Sequence, residues 1–138
     1  KRYVPEIGSN WIRGLVAPTI GHVIFISNLA TVEMISLLTR REREGFISTT
    51  DRTYLQRDFL FHVQNEYLVV DLNDSVIGRA RDLLIKYPLR ALDSLQLASA
   101  MEVLQDFKLA PTFISADTRL LTAASAEGLP IDDPNAHP

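Results

Sequence analysis

The stretch ALDSLQLASAM, residues 91–101, carries a single carboxylate, Asp93, at the start of an otherwise apolar helical run. Apolar residues recur on nearly every side of this helix, a pattern typical of a helix that packs deeply against a sheet. The N-terminal end of the helix, and Asp93 with it, should therefore lie close to the sheet. A first-turn acid can also simply cap a helix, so a structural and a functional interpretation of Asp93 both stay open.

On both sides of this stretch, apolar segments alternate with helical patterns. Strands are predicted over 22–27, 66–72 and 112–115, and helices over 28–43, 48–65, 74–87, 92–107 and 117–127. This alternation favours crossover connections and a mainly parallel sheet. The predicted strands are apolar throughout, as expected of strands covered on both faces. We expect one α/β domain over residues 1–138, with residues 131–138 as a frayed tail.

Composition restricts the classes of function. The chain has 138 residues, 46% of them hydrophobic, and no cysteine, which excludes disulfides and thiolate chemistry and suits a reducing cytoplasm. No apolar run approaches the roughly 18–20 residues of a membrane span, and the N-terminus KRYVPEIGSN lacks the apolar core of a signal peptide. The net charge of −3 gives no general attraction to nucleic acid. A cytoplasmic protein with no membrane contact is expected.

Two further acids stand in apolar surroundings. Glu33 lies in the middle of the helical segment NLATVEMISLL, where an unpaired carboxylate is costly, although pairing with Arg40 or extension to solvent would relieve that cost. Asp117 follows the strand TFIS and precedes the helix TRLLTAASAEG. At that junction a carboxylate can cap the helix, or it can face a ligand beyond the carboxyl ends of parallel strands.

Taken together, Glu33, Asp93 and Asp117 suggest a site for a hard divalent cation. Mg²⁺ and Mn²⁺ prefer oxygen ligands, and without a cation a cluster of acids raises its own pKa values. A cation in such a cluster would allow phosphodiester hydrolysis and would also attract RNA to an acidic protein.

Other chemistries have less support. His22 and His62 have no partner at the spacing of metal ligands, so core or surface roles are favoured for them. No serine lies in a GxSxG pattern, and neither GxxxxGK[ST] nor GxGxxG occurs. Triad hydrolases and enzymes with nucleotide cofactors are therefore disfavoured.

In order and spacing, three motifs resemble the PIN-domain family, in particular the VapC-type toxins of toxin–antitoxin pairs. YPLRALDSLQLASAM resembles the signature helix of that family, ATVEMISLLTRR its glutamate helix, and FISADTRLLTAASAEGL its last strand–Asp–helix unit. Each motif alone is weak evidence, but the ordered set is more specific and covers essentially the whole chain.

The resemblance implies a three-layer α/β/α sandwich with a mostly parallel sheet and the activity of a metal-dependent endoribonuclease, the toxin of a type II pair. It implies Mg²⁺ or Mn²⁺ as cofactor, RNA as substrate, a cognate antitoxin as partner and a homodimer. Glu33, Asp93 and Asp117 match the second, third and fourth acidic positions of the family. Ser115 matches a small hydroxyl position near the metal, and Arg90 a basic position before the third acid.

The sequence departs from the family pattern at its start. The first acid of the family lies near the end of a central first strand, in a pattern like DxSxxxKRY, whereas this sequence opens at KRYVPEIGSNW. We therefore expect that the first strand is missing, as in a fragment, and that the chain as given binds Mg²⁺ weakly and cleaves RNA poorly. The missing strand would leave a gap in the sheet. The remaining strands are expected to close this gap or to pair with strands of another copy of the protein.

Two other functions stay open. The first is an inactive PIN-like module that retains only partner binding, which the missing first acid favours. The second is a receiver-like phospho-acceptor domain, which is also a parallel α/β fold with clustered acids. It is disfavoured because FISAD places an Asp where a receiver domain carries a Lys.

Overall fold

The computed structural model of the protein describes all 138 residues and shows an α/β fold. Each predicted helix and strand is present, with ends shifted by at most two residues. Two short elements, α1 and β4, were not predicted. The elements are α1 (Ser9–Leu15), β1 (Ile24–Ser27), α2 (Leu29–Arg43), α3 (Thr49–Asn65), β2 (Tyr67–Val70), α4 (Asp74–Lys86), α5 (Ala91–Phe107), β3 (Phe113–Ile114), α6 (Thr118–Ala126) and β4 (Ile131–Asp132), with 3₁₀ turns over Pro18–Ile20 and Pro134–Ala136.

Side-chain caps explain where several helices begin. The Ser48 hydroxyl accepts a hydrogen bond from the Asp51 backbone N–H at 3.0 Å, and the Asp51 carboxylate accepts one from the Ser48 N–H at 3.1 Å. This reciprocal pair satisfies free donors at the start of α3. At the start of α4, the Asn73 side chain accepts a hydrogen bond from the Val76 N–H at 2.9 Å. After α6 the chain turns at Gly128, whose φ of 86° favours glycine.

The strands form two separate parallel pairs. In the first half-sheet, β1 pairs with β2 from Ile24 opposite Tyr67 to Ser27 opposite Val70. In the second half-sheet, β3 pairs with β4. The predicted parallel pairing is therefore confirmed, but the sheet is divided between β1 and β3 and the gap between them stays open.

The core is built around α5, which packs against α4 and α6 and also contacts β1, so the prediction of a deeply packed helix next to the sheet is confirmed. Leu97 and Ala98 on α5 are fully buried, and α4 contributes the fully buried Val76. The buried Glu102 accepts hydrogen bonds from Ser75 at 3.0 Å and from Asn73 at 3.3 Å, which fasten α5 to the start of α4. No helix is both long enough and apolar enough to cross a membrane.

Strand β2 differs from the prediction that the strands are covered on both faces. Leu68 is 48% exposed and Val69 is 37% exposed. An uninterrupted apolar run therefore does not guarantee that helices cover both sides of a strand.

Residues 131–138, expected to be a frayed tail, lie against α1 in the structure. Pro134 is buried next to Gly8. The ring of His137 stacks on Trp11 at 4.2 Å, and its Nε2 atom lies 2.8 Å from Asp132 Oδ1.

We expect Gly8→Ala to destabilise the protein by about 2 kcal/mol or more. Gly8 has a φ of 79°, and an added Cβ would lie 2.0 Å from the Pro134 carbonyl oxygen. Gly21→Ala is the matched control, because Gly21 has a φ of 78° with no atom within 4 Å of an added Cβ. Urea unfolding of both variants measures the difference. Equal losses would contradict the packing of the C-terminal segment on Gly8.

Candidate acidic site in the central groove

A groove of about 560 Å³ lies between the two half-sheets. Strands β1 and β3 form its sides, with residues of α5 and of the end of α1 completing its mainly apolar lining. Polar groups are concentrated where β1 and β3 end. We call these residues, Glu33, Asp93, Gln96 and Ser115, the acidic mouth.

Glu33 is half-buried on α2 and faces α5 across the groove. The Gln96 side-chain amide donates a hydrogen bond to the Glu33 carboxylate. Burial raises the pKa of the Glu33 carboxyl. The hydrogen bond from Gln96 opposes this increase, and the negative charge of Asp93 adds to it. Glu33 and Asp93 therefore interact electrostatically although they are far apart in sequence.

Asp93 lies in the first turn of α5, as predicted, but its side chain does not cap the helix. The N-cap residue is Arg90, and no side-chain hydrogen bond is made at this cap. The Asp93 carboxylate has no hydrogen-bond or ion-pair partner in the structure and lines the groove. A half-buried acid with no protein partner is available to a ligand.

Asp117 is the N-cap of α6, so the structure shows the capping role that was one of its two predicted roles. Its carboxylate accepts hydrogen bonds from the backbone N–H groups of Arg119 at 2.9 Å and Leu120 at 3.3 Å. These bonds lower the pKa of Asp117, as do the charges of Arg119 and Arg90. Asp117 is not among the residues that line the groove.

The remaining two predicted residues lie close to these acids. The Ser115 hydroxyl lines the groove and accepts a hydrogen bond from the Asp117 N–H at 3.1 Å. Arg90 is exposed at the start of α5. The structure thus brings Glu33, Asp93 and Ser115 into one groove, while Asp117 and Arg90 lie outside its lining.

The side chains at the acidic mouth supply only some of the oxygen ligands that a hard cation needs. No three Asp, Glu, His or Cys side chains stand together at metal-ligand spacing. Glu33 and Asp93 would hold Mg²⁺ or Mn²⁺ through carboxylate oxygens, which these cations prefer. Burial and the charge of Asp93 raise the pKa of Glu33, so the charged form of this carboxyl is disfavoured in the absence of a cation.

Two polar contacts at the groove were not predicted from the sequence. Gln96 lies three residues after Asp93, so the two share one face of α5, and this spacing was the available signal. Ser99, one turn further along, donates a hydrogen bond to the buried Ser27 hydroxyl at 3.0 Å. That bond ties α5 to the end of β1, and no local pattern in the sequence indicates it.

We expect Glu33→Gln to stabilise the metal-free protein at pH 7. Because burial raises the pKa of folded Glu33 above its ordinary value of 4.5, its charge costs stability once the pH rises past that value. Solvent screening limits the expected increase in melting temperature to about 1–2 °C. The increase should disappear at pH 4, where Glu33 is protonated in both states.

Thermal unfolding between pH 4 and pH 8 tests this expectation. Glu44→Gln is the control, since Glu44 is an exposed acid at the end of α2. A destabilised Glu33→Gln, or a difference that does not vary with pH, would contradict the effect of burial on Glu33.

Comparison of the chain with family models, with curated proteins and with solved structures finds no significant match in any of the three. The resemblance to PIN domains therefore rests on the sequence motifs.

Proposed function

We propose that the protein is a metal-dependent endoribonuclease, the toxin of a type II toxin–antitoxin pair, with the three-layer α/β/α architecture of PIN domains. The observation that carries the proposal is the convergence of Glu33 and Asp93 on one groove. The two acids come from separate helices and lie beyond the carboxyl ends of parallel strands, where α/β proteins bind their ligands. The proposal includes action in the cytoplasm, a cognate antitoxin and a homodimer.

The residues have distinct roles in this proposal. Glu33 and Asp93 bind Mg²⁺ or Mn²⁺. Asp117, which caps α6 outside the groove lining, is the third acid that the resemblance implies. A divalent cation bound there supplies Lewis-acid chemistry to the phosphodiester. Gln96 holds the Glu33 carboxylate in place, and Ser115 lines the groove while its hydroxyl accepts a hydrogen bond from the Asp117 N–H. The exposed guanidinium of Arg90 contacts an RNA phosphate.

The charge of the protein fits this assignment. With a net charge of −3 and two carboxylates in the groove, the protein repels RNA in the absence of a cation. RNA binding in the groove should therefore depend on the divalent cation, unlike binding to a basic surface.

An inactive PIN-like module that only binds a partner is the second candidate. It is favoured by the finding that two acids, and not three, line the groove. Such a module would keep the fold and the partner surface but would cleave no RNA at any cation concentration.

Cleavage of RNA separates the two candidates. The protein is incubated with an end-labelled RNA of mixed sequence in Mg²⁺, in Mn²⁺ and in EDTA. We expect slow internal cleavage in both cations and none in EDTA. Absence of cleavage in both cations would support the inactive module, and cleavage in EDTA would contradict a cation-dependent site.

A further inference from the structure

A second, shallow groove runs along the outer face of α3. Its residues recur at helical spacing between Arg52 and Gln64, so they form one stripe that is about 18 Å long. No acidic residue lines this stripe, whereas two carboxylates and no arginine or lysine line the central groove. We call it the α3 groove, and it is formed chiefly by Arg52, Gln56, Arg57, Leu60, Phe61 and Gln64.

Arg57 brings an unbalanced positive charge to the α3 groove. Its side chain is exposed, and no carboxylate pairs with its guanidinium, which lies over the Tyr54 ring at 5.6 Å from the ring centroid. That contact orients the guanidinium without neutralising it. The charge of Arg52, by contrast, is balanced, because its Nε atom lies 2.7 Å from Glu42 Oε2. Arg57 is therefore the cation of the α3 groove that is available to an anionic ligand.

Phe61 brings exposed aromatic surface to the groove, one helical turn after Arg57. Its side chain is 57% exposed. Because residues four apart on a helix have Cβ atoms about 5–6 Å apart, one ligand can place an anion at Arg57 and a planar ring on Phe61. The side chain of Gln64 is exposed and makes no hydrogen bond within the protein, so its amide can both donate to and accept from the same ligand.

The surroundings of the α3 groove are more positive than the protein as a whole. Residues 40–57 contain five arginines and three acids, although the chain has a net charge of −3. Arg40 and Arg43 are exposed at the end of α2, which the Glu42–Arg52 ion pair joins to the start of α3. Charges further away than about 8 Å are largely screened at physiological ionic strength. An anion in the α3 groove therefore interacts mainly with these arginines.

We propose that the α3 groove binds single-stranded nucleic acid, with a phosphate at Arg57, a base stacked on Phe61 and a base edge at the amide of Gln64. Positive charge combined with exposed aromatic rings is how proteins bind single strands with little sequence preference. The inference goes beyond the proposed nuclease site, because it needs neither the two acids of the central groove nor a divalent cation.

The same observations disfavour other occupants of the α3 groove. A duplex keeps its bases stacked inside, so it offers no base to Phe61. An acidic peptide can pair with Arg57, but its carboxylates provide no planar ring for Phe61. A second copy of the protein, placed symmetrically across the groove, would bring arginines against arginines with no acid of the groove to balance them.

Binding is measured by fluorescence anisotropy with fluorescein-labelled oligouridine and oligothymidine in EDTA, which removes divalent cations from any other site. We expect both single strands to bind with a dissociation constant on the order of 100 µM at about 50 mM salt, and more weakly at about 200 mM. An RNA duplex of the same length should bind at least about tenfold more weakly. A preference between the two single strands would identify RNA or DNA as the natural form of the ligand.

Two substitutions test the assigned contacts. Phe61→Ala should weaken binding at least about fivefold through the loss of one stacked base, and Arg57→Gln should reduce the salt dependence by about one phosphate contact. Both side chains are exposed, so both variants should fold, and thermal unfolding verifies this. Phe107→Ala and Arg81→Gln are the matched controls, because these side chains are similarly exposed but lie outside the α3 groove. Both controls should bind normally.

The proposal would be overturned by no binding of either single strand in EDTA, by equal binding of the duplex, or by unchanged affinity in both Phe61→Ala and Arg57→Gln. Equal affinity for labelled oligoglutamate would also overturn it, since charge alone would then explain binding. The nuclease proposal is tested separately, because it depends on cleavage in Mg²⁺. A protein that cleaves RNA but fails these binding tests would contradict only the assignment of the α3 groove.

Discussion

Asp93→Asn is expected to abolish Mg²⁺-dependent RNA cleavage, with a loss of about 100-fold or more. Asparagine keeps the size of the side chain but brings no negative charge to the cation. The free energy of unfolding should change by less than about 1 kcal/mol, because the Asp93 carboxylate neither caps α5 nor pairs with another side chain. Gel analysis of cleaved RNA and urea unfolding give the two results.

Asp74→Asn is the matched control, since Asp74 is an exposed acid in the first turn of α4 and lies outside the groove. This variant should cleave RNA at the normal rate. Retained cleavage by Asp93→Asn would show that Asp93 binds no essential cation. A large loss of stability would show instead that its carboxylate supports the fold.

Leu97→Ala is expected to have the largest effect on stability, a loss of about 3–4 kcal/mol. Leu97 is fully buried at the centre of the cluster formed by α4, α5 and α6. Its truncation loses apolar burial and leaves a cavity that the surrounding helices can fill only in part. Urea unfolding measures the change.

Leu92→Ala on the same helix is the control, since Leu92 is 49% exposed and should cost less than about 1 kcal/mol. Similar losses for the two variants would contradict the placement of α5 in the core.

The helices were predictable because their signals are local. The cap Asn73 and the turn at Gly128 act on residues next to them in sequence, and the helices that they bound lie close to the predicted ranges. Strand pairing depends on residues far apart in sequence, so the division of the sheet between β1 and β3 could not be predicted. Strand β4 has two residues, Ile131 and Asp132, too few to show a periodic pattern.

The residues of the candidate site, like the fold, could be predicted only in part. Glu33 and Asp93 could be identified because an unpaired carboxylate in an apolar helix is energetically costly, and both residues line the groove. Asp117 carried two interpretations at a strand–helix junction, and its backbone hydrogen bonds are those of a cap. The amide of Gln96 gave no comparable signal, since a glutamine on a helix is usually an exposed residue.

The central claim, that Glu33 and Asp93 bind a divalent cation together, is tested most directly by paramagnetic Mn²⁺ broadening in the NMR spectrum of residues 1–138. We predict weak binding, with a dissociation constant of about 1 mM. Broadening should centre on the amides of Glu33, Asp93 and Ser115, and Asp93→Asn should remove it. Broadening that is absent at those amides, or that persists in Asp93→Asn, would contradict the claim.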